Sequence, residues 1–478
     1  MRIDAGTLRT VVAVGWVGAL APAGVACDVG QSSELAEETL TDGPPPSGGG
    51  PGGGESNGDD TPADGTSGND PGTEPPVDPL PDFGGAQGCD YAGEEAAQPF
   101  GHHAHSYADG TILPSGSLGQ LDAAVADVYA QWRQQFLRQG CGDGRYYVTI
   151  GGDDSLTVSE AHGYGMLIAV YMAGLDPDAR EFFDGLHAYY RDHPSTGTPP
   201  LMAWSQDHSC TTNLGGSSAT DGDLDIAYAL LLADKQWGSS GAIDYLGEAT
   251  ELLWAITNVE LGDGYVHLGD WVGDPYYELS TRSSDFMPNH FAAFEDIVGD
   301  GRWSNAIGTT YSIMSAVQSS DSGLLPDFAQ WVTSDPIPAE PWFLEREWDG
   351  DYSYNACRVP WRIGLGYLAD GDTQARNLLN PMIGWFQSAT GGDPWNMASG
   401  YRLWGEPLPG ADFPSMTYIA PMGVAAMLDP SRQALLDSIW EAAAYSDLTG
   451  VYYDDTLRLL SMIAMSGNWW SPHQAACP

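Results

Sequence analysis

The stretch "SEAHGYGMLIAVYMAGLDPDAREFFDGLHAYYRD" (residues 159–192) holds two runs of apolar residues at helical spacing, separated by "AGLDPDA", a break of Gly, Asp and Pro. The first run stays apolar for most of four helical turns and predicts a buried helix over 159–173; the second predicts a helix over 177–192. A connection this short makes neighbouring helices pack antiparallel.

The same test, carried outward, predicts a helix over 119–139, where Leu121, Val125, Val128, Trp132 and Phe136 recur before Gly140. Further helices follow over 222–237, 241–257, 287–298, 302–318, 356–369, 372–389, 414–427, 431–445 and 453–466. Breaks such as "GDGRW", "LADGDTQ" and "LDPSRQ" again join neighbours. Twelve helices in six hairpins imply an all-α fold closed as a double ring. "YYVTIGG" and "YVHLGDW" read as short extended segments, and nothing demands a parallel sheet.

The ends of the chain differ from this pattern. Arg2 and Arg9 precede the apolar run Val11–Ala26, short for a membrane span and suited to a signal peptide over residues 1–27. Export is therefore expected. The run ends at Cys27 in "AGVAC", which fits either ordinary cleavage nearby or lipid attachment that would anchor the protein at a membrane surface, although Gly24 stands where such signals usually carry leucine. Residues 28–88 are Gly, Pro, Ser, Thr and acid, the composition of a disordered, self-repelling linker. Residues 89–478 then form one domain of catalytic size, expected to be monomeric.

Six cysteines are spaced too widely for a zinc knuckle and are compatible with disulfides in an exported chain. Cys89 with Cys477 would tie the ends of the domain together, but connectivity stays open; with Cys27 lipidated, at least one of the other five is unpaired. Of the 65 acidic residues, 13 lie in the linker and Asp4 in the signal, leaving 51 against 15 basic ones, a domain charge near −36. Such a surface excludes a phosphate-backbone partner and suits neutral or cationic polymers.

Between the helices lie long loops, 259–286, 319–355 and 390–413, in or beside which Trp204, Trp271, Tyr276, Tyr277, Trp331, Trp342, Trp348, Tyr352, Tyr354, Trp395 and Trp404 fall. An aromatic plane with a polar rim matches the apolar face of a sugar ring, and loops of that length in a compact domain build sites. Three acidic groups accompany them: Glu160 beside "GYG"; Asp221, Asp223 and Asp225 at a helix start; and Glu345, Glu347, Asp349 and Asp351 ahead of Asn355 and Arg358. The aspartate triplet is not a calcium loop, because Ile226 and Leu232 occupy the positions that need Gly and Glu. "GHHAH" (His102, His103, His105) lacks an acidic partner at metal-site spacing, and no phosphate loop, zinc-protease helix or nucleophile elbow occurs. No metal or cofactor is expected.

"SEAHGYGM", "ATDGDLDIAYALLLADKQW" and "YNACRVPWR", in that order, resemble glycoside hydrolase family 8 over about Pro99 to Trp470. The resemblance implies an (α/α)6 barrel and inverting, endo-acting hydrolysis of β-1,4-linked glycans: cellulose, mixed-linkage glucan, xylan or chitosan. It implies Glu160 as proton donor and Asp221 as the group that holds and distorts the sugar at the cleavage point. Asn355 stands where one branch of the family has an aspartate base. In the branch with asparagine there, a glutamate in the preceding loop serves, which implies Glu345 as base with Glu347 as fallback. Trp204, Trp271, Tyr354, Asn355 and Arg358 are the expected substrate contacts. Inversion requires a protonated acid and an ionised base about 6.5–9.5 Å apart, with water between. Glu160 must then hold its proton against a helix N-terminus that favours the anion, so burial against Tyr164 and repulsion from Asp221 have to prevail. The expected activity is exported endo-β-1,4-glucanase, with chitosanase as the alternative within the family and a non-catalytic glycan-binding relative as the alternative outside it.

Overall fold

The computed structural model describes residues 88–93, 95–152 and 155–477. The signal segment, Cys27 and nearly all of the linker lie outside the described residues. Twelve helices appear where apolar spacing placed them: α1 (Leu118–Phe136), α2 (Ser159–Tyr171), α3 (Ala179–Asp192), α4 (Thr220–Trp237), α5 (Tyr245–Ala255), α6 (Pro288–Val298), α7 (Arg302–Val317), α8 (Val359–Asp370), α9 (Thr373–Thr390), α10 (Met416–Ala426), α11 (Gln433–Tyr445) and α12 (Tyr452–Met465). A one-turn helix, Pro275–Glu278, is additional. Boundaries shift locally: α5 begins at Tyr245, not 241, behind an Asp244 cap, and α8 is preceded by a 3₁₀ turn over Ala356–Arg358.

Burial divides the helices into two rings. In α2, α4, α8, α10 and α12 nearly every residue is buried, whereas α1, α3, α5, α7, α9 and α11 bury one stripe. Helices apolar on all sides belong inside and amphipathic ones outside. The inner helices contact one another in the order α2, α4, α6, α8, α10, α12, and α12 returns to α2, closing an (α/α)6 barrel.

The N-terminal segment fixes the barrel's polarity. Ala97 N–H donates to Gln236 O, Phe100 N–H to Ala173 O, Ala108 N–H to Leu368 O and Ile112 N–H to Met427 O, and the Tyr107 hydroxyl donates to Ala464 O. These carbonyls lie at or just beyond the C-terminal ends of α4, α2, α8, α10 and α12, so residues 97–112 lace one end of the barrel shut. The inner N-termini gather at the other end. There, among the loops, the described strands form small antiparallel sheets: β1 (Leu137–Gln139) with β2 (Tyr146–Val148), β3 (Thr157–Val158) with β4 (Ser205–Gln206), and β5 (Ser280–Arg282), β6 (Phe328–Gln330) and β7 (Ile337–Pro338) together. "YYV" is β2, as expected; "YVHLGDW" forms only an isolated bridge, Leu261 to Val266.

Cys89 pairs with Cys477 and Cys141 with Cys210, while Cys357 is free and buried. Both ring nitrogens of His103 are engaged, by Gly467 O and Asp122, and His105 Nε2 meets Gln98.

Candidate active site

Two glycines bring the first two acidic groups together. A Cβ on Gly222 would lie 2.7 Å from the Ser159 carbonyl carbon, and one on Gly163 would lie 2.6 Å from the Asp225 Cβ. Real Cβ atoms do not approach so closely, so only glycine lets α2 and α4 touch at their N-terminal turns. Glu160 and Asp221 are each the second residue of their helix. The same contact that packs the barrel therefore converges the two carboxyls.

Arg358, almost fully buried at the start of α8, joins them: its Nη1 donates to Glu160 Oε2 at 2.8 Å and to Asp221 Oδ2 at 2.7 Å. Its Nη2 donates to Asn355 Oδ1 at 2.8 Å, and Asn355 Nδ2 donates to Glu345 Oε2 at 2.8 Å. Arg282, on β5, donates to Glu345 Oε1 at 3.2 Å and lies 3.7 Å from Asp221. Tyr452, the first residue of α12, donates its hydroxyl to Glu160 Oε1 at 3.0 Å. Five residues inferred from sequence, Glu160, Asp221, Glu345, Asn355 and Arg358, thus share one hydrogen-bonded network.

The two ends of the network differ electrostatically. Burial pushes Glu160 up, Arg358 opposes it and Asp221 adds to it, leaving its pKa raised to about 7. Burial acts on Asp221 in the same sense, but Arg282 and Arg358 outweigh it and hold that carboxyl down at about 2. Glu345 accepts from Arg282 at one oxygen and from the Asn355 amide at the other. The site therefore offers a carboxyl able to carry a proton near neutrality, a fixed anion beside it, and a carboxylate acceptor across the arginine–asparagine bridge.

The Glu345 loop is held from within. Asp349, fully buried, accepts the backbone N–H groups of Leu344, Glu345 and Arg346 at 2.7, 2.9 and 3.0 Å, fixing the turn that presents Glu345. Asp327 Oδ1 accepts the N–H groups of Ser353, Asn355 and Ala356 and does the same for the Asn355 turn. Glu347 is exposed. Of the two candidate bases, only Glu345 joins the network.

The aromatic expectations divide. Trp204 lies beside the site, its carbonyl accepting from Ser159 N–H at the start of α2. The Tyr354 ring packs on Tyr418 at 5.4 Å with Arg346 over it, and its carbonyl accepts from Tyr453. Trp271 instead meets Tyr277 edge-on and belongs to the small cluster of Leu268, Phe328, Ala339 and Phe343. On the loops, Trp342 and Trp404 are the most open rings, 67% and 59% exposed. Trp331 and Trp342 also hold φ of 58° and 61°, strained for bulky side chains and typical of functional loops.

Arg282, Asp285 and Tyr452 were not inferred from sequence. Asp285 is fully buried in a 3₁₀ turn just before α6, and burial first, then Asp221, raises it to about 7 despite Arg282. The available signal was positional: Asp285 and Tyr452 flank inner-helix starts, as Glu160 and Asp221 do.

The family model for glycosyl hydrolases family 8 matches residues 116–467. A β-glucanase from Niallia circulans is 45% identical over 380 residues, covering 78% of this chain and 91% of that protein. An endoglucanase from Bacillus sp. (strain KSM-330) is 37% identical over 367 residues, covering 74% and 77% respectively. The solved apo structure of a β-1,3-1,4-glucanase from Paenibacillus sp. X4 superposes with a TM-score of 0.75 at 44% identity, covering 78% of this chain and 99% of that one.

Proposed function

Because the chain belongs to glycosyl hydrolases family 8, we propose that it is an exported endo-acting β-glucanase that cleaves β-1,4 linkages in cellulose-like or mixed-linkage glucan by single displacement. The observation that carries this reading is the placement of Glu160 and Glu345 at opposite ends of the Arg358–Asn355 bridge, with different hydrogen-bond partners. Glu160 gives its proton to the glycosidic oxygen as that bond to the anomeric carbon breaks. Water attacks the same carbon from the other face and loses a proton to Glu345. Asp221, held ionised by Arg282 and Arg358, supports the positive charge that develops on the ring between them. The proton donor tolerates its partial burial because it works while uncharged.

Charge at the centre favours a neutral glycan over chitosan. Asp221 and Glu345 are each contacted by an arginine, Arg282 or Arg358, which offsets the anionic charge that would draw a glucosamine ammonium there. The relatives named β-glucanase and β-1,3-1,4-glucanase support the same choice. A non-catalytic relative is disfavoured because the Asn355 amide, unable to act as base, lies against a glutamate that can. Two disulfides agree with export to an oxidising compartment.

The test compares the parent with Glu160→Gln, Glu345→Gln and Glu347→Gln on lichenan, carboxymethyl cellulose and chitosan, with the product anomer read by proton NMR. Expected are turnover on the glucans with α-anomer released first, loss of about 10³-fold or more for the first two variants with binding kept, and near-parental rates for the third. A parent that binds but never hydrolyses any glucan would return the protein to the binding class.

A further inference from the structure

Arg282 lies in none of the three sequence motifs, yet where Arg358 reaches two carboxyls of the acidic centre, it reaches three. Its Nη2 donates to Glu345 Oε1 at 3.2 Å, and its Nη1 lies 3.4 Å from Asp285 Oδ2 and 3.7 Å from Asp221 Oδ1. Each of these carboxylates comes from a different segment: the loop after β7, the turn before α6, and the start of α4.

The side chain is pinned in that position. Arg282 pairs across the β5–β6 ladder with Phe328, and its guanidinium carbon lies 5.3 Å from the centre of the Phe328 ring. The side chain is 11% exposed, so its interactions are little screened by solvent. A planar fork with fixed N–H directions sets the distance and angle between two carboxylates, which a lysine ammonium, a point charge on a flexible stem, does not.

From this geometry we propose that Arg282 is the positioning residue for the base: it fixes the Glu345 carboxylate relative to Asp221 and balances the negative charge gathered there. The proposal rests on the hydrolytic reading above, in which Glu345 takes the proton from water. Charged and polar groups around Glu345 and Asp221 include Arg282 from β5, Asn355 and Arg358 from the turn before α8, Asp285 from the turn before α6, and the carboxyls of Asp327 and Asp349. Arg282 is a cation in direct contact with Glu345. With it gone, Glu345 loses its charged donor, and Asp221 loses the strongest of the influences that hold its carboxyl down.

The experiment measures kcat, KM and the pH dependence of kcat/KM on mixed-linkage glucan for the parent, Arg282→Met and Arg282→Lys, with melting curves to normalise for folded enzyme. For Arg282→Met the expected result is a fall in kcat of about 100-fold, little change in KM, and an acid limb displaced upward by about one pH unit or more. Arg282→Lys restores the acid limb, because the charge is back, but recovers only part of kcat, because the fork is not. A merely structural role moves neither limb. Parental acid limbs in both variants would overturn the proposal, as would a full-rate Arg282→Lys; should Arg282→Met not fold, the lysine variant decides alone. A parent inert toward β-glucan fails the functional reading and takes this one with it, whereas an active parent with indifferent Arg282 variants fails this proposal only.

Discussion

Asn355 gives its amide N–H to Glu345 Oε2 at 2.8 Å while its carbonyl oxygen receives Arg358 Nη2 at 2.8 Å. An amide has one donating and one accepting end, and here each faces the only neighbour it suits. The residue that cannot be a base therefore holds the one that can. Asn355→Asp keeps the acceptor for Arg358 but sets a carboxylate against Glu345 in place of a donor. Its kcat on β-glucan is expected to fall at least about tenfold, measured by initial rates at saturating substrate. In the Glu345→Gln background the same change supplies a new carboxylate beside an amide, and the double variant should outrun Glu345→Gln alone. A parental rate in Asn355→Asp would show that the amide contact is dispensable.

The acid end makes a prediction of opposite sense. Burial, opposed by Arg358 and reinforced by Asp221, raises Glu160 to about 7, and the Tyr452 hydroxyl lowers it by donating to the anion. The alkaline limb of kcat/KM should therefore fall near pH 7. Tyr452→Phe removes a donor that favours the charged form, so that limb should move to higher pH, read from rates between pH 5 and 9 in one buffer series. A limb that stays put or moves down contradicts the placement of the acid.

Stability should follow the same groups. Glu160 and Asp285 are raised to about 7, and Glu260 and Asp327, both fully buried, to about 8, in each case chiefly by burial. A carboxyl whose folded value lies above its unfolded one binds protons more tightly in the folded state. Its stabilisation is full below the unfolded value and is lost as pH rises through the folded one. Each such group costs about 1.4 kcal/mol per pH unit across that window. Asp221, lowered to about 2 because the two arginines outweigh burial, acts in reverse and matters only in strong acid. The melting temperature is thus expected to decline between about pH 5 and 8 and then to level off; a flat or rising curve over that window in differential scanning calorimetry would contradict it.

The helices were legible because each ring has its own signature: residues 159–173 lack a polar face and go inside, while Leu121, Val125, Val128, Trp132 and Phe136 form one stripe and go outside. The site was legible where chemistry-bearing residues sit in motifs at helix starts, as with Glu160 and Asp221. Glu345 could be separated from Glu347 only by seeing which side chain Asp349 and its turn point inward. Arg282 carried no local signal, since its meaning lies in three carboxyls between 3 and 63 positions away in sequence. Trp271 illustrates the converse: an aromatic residue in a long loop can fill a small core of its own, and spacing does not distinguish that core from a sugar platform.

One helical turn beneath the Asp221–Arg358 contact, Asp225 and Arg362 repeat it four residues further along α4 and α8. Arg362 Nη1 and Nη2 donate to the two Asp225 oxygens at 2.6 and 2.5 Å, and His290 Nε2 lies 3.0 Å from Oδ1. Both members of the pair are buried to 1% exposure or less, and burial lowers His290 to about 4, so the imidazole is neutral at working pH and donates. A fully buried bidentate pair is held by geometry, and its loss is costly: removing either partner strands a buried charge. Asp225→Asn and Arg362→Met should each lower unfolding free energy by about 3–5 kcal/mol, measured by urea denaturation. The double variant Asp225→Asn/Arg362→Met should lose less than the two single losses added together, because no charge is left uncompensated. Additive losses in that cycle would mean that the two side chains stabilise the barrel independently and that the stacked contact is incidental.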